Sequence, residues 1–221
     1  MQLLGTLTTP DGLFKPINVT YSHENEDGPI MRTPSPVKKL SVSSDESFMT
    51  VFYDTGMKKV REEKMILNGK IHGIYKRWHE NGMICEETLY SQGIINGKQY
   101  YYSINGKLSH AFNYKEGVLH GKQFSYHSNS ILASKSNYCN GTRIGENVSY
   151  YPSGALKSLE TYNSEGLLTG TSRQYHMNGR LARDCTYVNG KLHGMYFEYN
   201  DHDLPIRALY FEHGIVKGTG V

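Results

Sequence analysis

The 221-residue sequence holds three cysteines, one tryptophan and no apolar run near the roughly 18 residues that a membrane-crossing helix needs. Cys85, Cys139 and Cys185 lie 54 and 46 residues apart, with no Cys-x-x-Cys pair. They offer neither a disulfide framework nor a paired metal motif, and an odd number of thiols fits a reducing, cytosol-like compartment. Met1-Gln2-Leu3-Leu4-Gly5 lacks a basic segment and an apolar core, so no secretory leader is expected. Charge of one sign is also scarce: 24 Lys and Arg against 21 Asp and Glu leave +3. That is too mild for a nucleic-acid binder, which concentrates a basic stripe. The densest cluster, Lys58, Lys59, Arg61 and Lys64, is diluted by Glu62 and Glu63 and reads as a solvated strand face.

Enzyme signatures are missing as well. No Gly-x-Ser-x-Gly, phosphate loop or Cys–His pairing is present. Ten histidines invite a metal reading, but His72, His120 and His193 recur at one repeat position, and His79, His127 and His176 at another. Equivalent positions two repeats apart are about 20 Å apart, whereas metal ligands converge within a few Å. Glu86 and Glu87 adjoin on a strand and point to opposite faces, which defeats paired acid–base work. The sequence therefore points to no catalytic residue, no metal and no cofactor.

What the chain has is glycine (23) and tyrosine (18), and both recur. Asn68-Gly69-Lys70-Ile71-His72-Gly73 returns as Asn189-Gly190-Lys191-Leu192-His193-Gly194. Between and after them fall Gly93 and Gly97, Gly117 and Gly121, Gly141 and Gly145, Gly166 and Gly170, and Gly214 and Gly218. The first glycines of the pairs are 24, 24, 24, 25, 24 and 24 residues apart. A fixed period of this size marks an array of small supersecondary units. Nine residues after the second glycine comes a turn, Asn81-Gly82, Asn105-Gly106, Ser153-Gly154 or Asn178-Gly179, replaced in two repeats by Asn129-Ser130 and His202-Asp203. Asn-Gly predicts a type I′ hairpin turn, with positive φ at both central residues.

Between the turns the pattern alternates with period two. The fifth residue after each pair is aromatic: Trp78, Tyr102, Tyr126, Tyr150, Tyr175 and Tyr199. Ile84, Leu108, Leu132, Leu156, Leu181 and Pro205 follow the turn, and a second aromatic column closes each unit: Tyr90, Tyr114, Tyr138, Tyr162, Tyr187 and Phe211. The residue midway between paired glycines is apolar except at Arg143. This alternation argues for sheet rather than helix. The expected fold is all-β: hairpins stacked edge to edge into an elongated, single-layer antiparallel ribbon, advancing about 10 Å per repeat. With no second layer, both aromatic columns are expected on one face, ring on ring, forming a partner groove. The paired glycines would leave room for rings over bare backbone. By organisation, residues 1–21 read as a short β segment turning at Pro10-Asp11-Gly12, residues 22–47 as a Pro/Ser-rich linker, and residues 48–221 as the array.

The pattern Asn-Gly-Lys-Leu-His-Gly, an aromatic five residues on, Asn-Gly nine on, then Leu and a late Tyr resembles the MORN repeat in its 24-residue variant. The resemblance covers residues 48–221. It implies a non-catalytic interaction scaffold with protein partners, in settings that include antitoxin-like bacterial proteins and components of large-DNA-virus virions, or else a phospholipid-associated module. A cytoplasmic or cytosol-facing location follows. At the C-terminus, Thr219-Gly220-Val221 looks too short to complete a strand, so residues 204–211 are expected to be the terminal edge, open to pairing as a homodimer.

Overall fold

The computed structural model describes residues 2–8, 14–20, 45–54, 56 and 58–219. The linker assigned to residues 22–47 lies outside the described residues up to residue 44. Every described regular element is a β-strand, and the chain divides into two compact units, Met1–Gly106 and Lys107–Val221.

In the first unit β1 (Gln2–Thr8) and β2 (Phe14–Thr20) form an antiparallel hairpin of their own. The array opens two residues before Phe48, at β3 (Glu46–Phe52), which pairs with β4 (Val60–Leu67). Then come β5 (Lys70–Ile71) and β6 (Gly73–Trp78), both on β4, followed by β7 (Ile84–Ser91) and β8 (Ile94–Tyr102). The second unit runs β9 (Leu108–Lys115), β10 (Val118–Leu119), β11 (Gly121–Tyr126), β12 (Leu132–Cys139), β13 (Thr142–Tyr150) and β14 (Leu156–Tyr162). It continues through β15 (Gly170–Tyr175), β16 (Leu181–Val188), β17 (Lys191–Tyr199), β18 (Pro205–Glu212) and β19 (Ile215–Thr219). Within each unit the array strands pair antiparallel with their neighbours in the chain, so stacked hairpins are the architecture.

Four details depart from the sequence reading. First, the type I′ turns sit at the paired glycines. Asn140 and Gly141 both have positive φ (48° and 81°), as do Asn68-Gly69, Gln92-Gly93 and Asn189-Gly190. The Asn81-Gly82 loop instead has positive φ at the glycine alone, with Gly82 N–H donating to His79 O (2.9 Å) and His79 N–H to Met83 O (2.8 Å). That is a type I turn followed by a left-handed residue, the usual three-residue hairpin loop. Second, the one 25-residue interval has a cause. Between β14 and β15 a loop of this longer kind, with Gly166 N–H on Asn163 O, replaces the two-residue type I′ turn.

Third, the C-terminal edge is not β18. Residues Ile215–Thr219 form β19, which pairs with β18 through Leu209↔Thr219, Tyr210↔Gly218 and Phe211↔Val216. The second glycine of the last pair, Gly218, thus lies in a strand. Fourth, the two aromatic columns lie on opposite faces. Gly121↔Tyr138, Gln123↔Ser136 and Ser125↔Ser134 share one face, here face A, and alternation along β11 sends Phe124 and Tyr126 to the other, face B. A bulge then skips Ala133, so that Leu132 crosses to face B and meets Tyr126. Every repeat with a described register slips at this point, which sequence alternation cannot reveal.

Neither face is therefore bare. Tyr126 on face B and Tyr101 on face A are both half-buried, and the fully buried apolar side chains described are small: Cys85, Ala111 and Cys185. Stability comes instead from contacts between successive repeats. At Gly93, Gly141, Gly190 and Gly214 the glycine N–H bonds the previous repeat's midway carbonyl, as Gly141 N–H does with Leu119 O (2.8 Å). The side chain after the preceding turn glycine covers its Cα: Val118 Cγ1 would stand 3.0 Å from a Cβ on Gly141, and Thr142 Cγ2 2.9 Å from one on Gly166. These glycines leave room for a neighbour's aliphatic chain rather than for an aromatic ring.

Candidate functional site

Side-chain bonds from repeat to repeat account for the recurring histidines. His79 Nε2 meets Tyr102 O (3.1 Å), His127 Nε2 meets Tyr150 O (2.9 Å) and His176 Nε2 meets Tyr199 O (2.9 Å). At the same position Tyr53 and Tyr151 donate their hydroxyls to Trp78 O (2.7 Å) and Tyr175 O (2.8 Å). Two of the other set act as acceptors: Gln92 and Asn140 donate backbone N–H to Nδ1 of His72 (3.3 Å) and His120 (3.4 Å), whereas His193 Nδ1 is buried without a hydrogen-bond partner among the described residues. Among the described residues no three His, Cys, Asp or Glu side chains converge as a metal site. The turn asparagines work in the same direction. Asn81, Asn129 and Asn178 donate Nδ2 to the carbonyls of Ile104, Pro152 and Asp201 (2.7–2.8 Å).

Face B carries the first aromatic column: Trp78, Tyr102, Tyr126, Tyr150, Tyr175 and Tyr199. Trp78, Tyr126, Tyr150 and Tyr175 stand opposite Ile84, Leu132, Leu156 and Leu181, and Phe197 stacks beside Tyr199 at 6.2 Å. On this face Lys76 pairs with Glu87 (3.3 Å) and Arg173 with Asp184 (3.3 Å). Burial pushes the Glu63 carboxyl upward, although Lys76 opposes it.

Face A carries the late column, Tyr90, Tyr114, Tyr138, Tyr162, Tyr187 and Phe211, whose rings alternate across the strands with the midway residues. Next to it runs a row that sequence inspection passed over, two residues after the second glycine: Tyr75, Gln99, Gln123, Asn147, Ser172 and Tyr196. Gln99, Gln123, Asn147 and Ser172 are buried. The amides of Gln123 and Asn147 mend the hydrogen-bond ladder where the glycines interrupt it. Gln123 donates to Asn113 O and Gly121 O and accepts from Asn113 N–H, and Asn147 donates to Gly145 O (3.0 Å). The only sequence signal was polarity at a position whose parity matches the late tyrosines. The row shares no residue type, so no motif announces it.

A further polar row crosses seven strand boundaries in unbroken register: Ser125, Ser134, Ser149, Ser158, Gln174, Arg183, Glu198 and Arg207. Ser125–Ser134 and Ser149–Ser158 are hydrogen-bonded at 2.6 Å. In the first unit the corresponding ground is charged. Glu86, 8% exposed, accepts from Thr88 Oγ1 (2.9 Å) and Gln99 Nε2 (3.1 Å) and pairs with Arg77 (3.1 Å). Its neighbour Glu87 lies on face B, bonded by Tyr102 Oη (3.1 Å), so the two carboxylates do not meet. The Lys64 ammonium beside Glu62 holds that carboxyl below its ordinary range, and burial with Glu62 beside it pushes the Tyr75 hydroxyl upward. Burial likewise raises the Cys185 thiol, keeping it protonated.

The paired glycines flank these faces. Gly69, Gly93, Gly117, Gly141, Gly166, Gly190 and Gly214 make the turns; Gly73, Gly121 and Gly170 open the following strands and Gly97, Gly145 and Gly194 lie inside them, all with positive φ. Each unit by itself presents two sheet faces with fixed side chains, and the second unit an ordered polar row, suited to holding an extended surface. Residues 71–92, 119–140 and 143–164 match the MORN repeat variant family model. No curated protein matches the chain.

Proposed function

Because this chain is a MORN-variant repeat protein, and such repeats serve binding, scaffolding or membrane association, we propose that it is a non-catalytic scaffold whose partners are proteins. One observation carries the reading: face A presents tyrosines beside an uninterrupted row of hydroxyl, amide and charged groups, held in register by strand pairing. Aromatic and forked cationic side chains on a rigid surface are what protein interfaces use as anchors. A phospholipid surface would call for unpaired basic residues along one face. Here Lys64, Lys76, Arg77, Arg173, Arg180 and Arg207 each have a carboxylate within 4 Å. The scaffold acts without nucleic acid or cofactor, in a cytosol-facing setting. Among the described residues no helix is long and apolar enough to cross a membrane.

Affinity capture with the full chain from its native source, followed by mass identification, tests the reading. The expected result is a stoichiometric protein partner, whose identity also decides between a virion, a toxin complex and another assembly. Binding to anionic vesicles that weakens steeply between low and high salt, with no protein captured, would replace it by the lipid reading. A homodimer through the C-terminal edge would have to pair β19, because β18 is already paired on both sides. Light scattering at high micromolar concentration tests it, and a monomer there removes it.

A further inference from the structure

Arg143 breaks the pattern of its column. The equivalent residues Ile71, Ile95, Leu119, Leu168, Leu192 and Val216 are aliphatic, so the fold does not need a cation there. Its guanidinium carbon lies 5.6 Å from the ring centre of Tyr138 and 5.5 Å from that of Tyr162. Nε and Nη2 both donate to Tyr138 Oη, at 3.1 and 3.0 Å. Tyr162 donates its own hydroxyl to Glu160 Oε2 (2.8 Å). Arg77, Arg173, Arg180 and Arg207 each have a carboxylate at 3.1–3.5 Å, whereas Arg143 has none within 4 Å among the described residues. It is exposed, on the face proposed above to take a partner.

We infer that Arg143 is the anchor of a carboxylate-reading subsite, and that the partner of face A presents an acidic side chain in an extended peptide segment there. This rests on the scaffold reading and gives the partner a chemistry. A guanidinium has five N–H groups in a planar fork, and the Tyr138 hydroxyl engages only two of its nitrogens. Stacking and the Tyr138 bonds hold the fork still before the partner arrives, so less freedom is lost on binding than for a mobile surface arginine. A carboxylate is the class that fits: it accepts from a planar fork with two oxygens, and charge-assisted bonds of this kind are the stronger ones.

The test uses the full chain and two labelled peptides, one alternating Gly and Glu, the other Gly and Gln, with affinity read from fluorescence anisotropy. The Glu peptide should bind and the Gln peptide should bind at least about ten-fold more weakly, the scale of one charge-assisted contact. Arg143→Leu, which restores the column's own residue type, should lose about ten-fold for the Glu peptide with its circular dichroism unchanged. Arg143→Lys, which keeps charge but not the fork, should fall between. Equal affinity of wild type and Arg143→Leu, or of wild type and Arg143→Lys, overturns the inference, as does binding of neither peptide. Phosphatidylserine vesicles bound in an Arg143-dependent way, with the Glu peptide ignored, would assign the guanidinium to lipid and overturn it too. Capture of the same partner by wild type and Arg143→Leu alike would leave the scaffold standing and refute only the role of Arg143.

Discussion

Ser130 occupies a left-handed backbone position (φ 70°) that Gly82, Gly106, Gly154 and Gly179 fill in other repeats. An L-residue pays roughly 1–2 kcal/mol for that conformation, and glycine does not. Ser130→Gly is therefore expected to raise stability by about 1 kcal/mol in urea unfolding. Glu62 and Glu63 make an opposed pair at the same scale, adjacent in sequence and on opposite faces. The Glu62 carboxyl is lowered by Lys64, so its stabilisation is present above its ordinary value of 4.5 and is lost as pH falls through the folded value. The Glu63 carboxyl is raised by burial, so its charged form weakens the fold, and stability declines as pH rises past 4.5. At pH 7 Glu62→Gln should lower the unfolding midpoint and Glu63→Gln should raise it. Both differences should fade in acid, below either group's titration.

The hairpins were legible because a 24-residue period with glycine at fixed offsets leaves few alternatives. The faces were not, because Ala133 and its counterparts are skipped by the ladder, and a skipped residue reverses the alternation on which the assignment depended. Turn type was misplaced for a related reason: Asn-Gly occurs at both kinds of hairpin end, and only the flanking bonds tell the two apart. The role of histidine between hairpins was not legible either, because it needs the partner carbonyl, which lies 23 residues on. That role predicts a rescue. His127→Phe leaves Tyr150 O without its partner and should cost about 1–2 kcal/mol. His127→Tyr should recover most of it, since Tyr53 and Tyr151 already reach the equivalent carbonyls. If Phe and Tyr unfold at the same urea concentration, the bond contributes nothing.

Across the second unit, protection should be uneven. Leu204, Ile206, Ile215 and Val216 are all more than half exposed, whereas the strands that carry Asn147, Ser172 and Cys185 each hold a buried residue. Amides of β18 and β19 should therefore exchange with deuterium well before those of β13 to β16, because local opening costs least where little is buried. Uniform exchange would mean that the array opens as one piece. Of the candidate site, the aromatic columns could be read from sequence, while the buried amide row and the polar row that begins with Ser125 could not, since each is defined by strand pairing and by no single residue type along its length. The bonds that tie one hairpin to the next have a further consequence: they span 20 to 26 residues, as from Asn129 to Pro152, from Tyr151 to Tyr175 and from Asn163 to Asn189. A segment of that length copied in place brings its own donors and acceptors, so duplication or deletion of whole repeats can lengthen or shorten the array without a new packing solution. The array is then counted in hairpins, and a single unusual residue such as Arg143 keeps its place in its own repeat while the number of repeats before and after it can be reset.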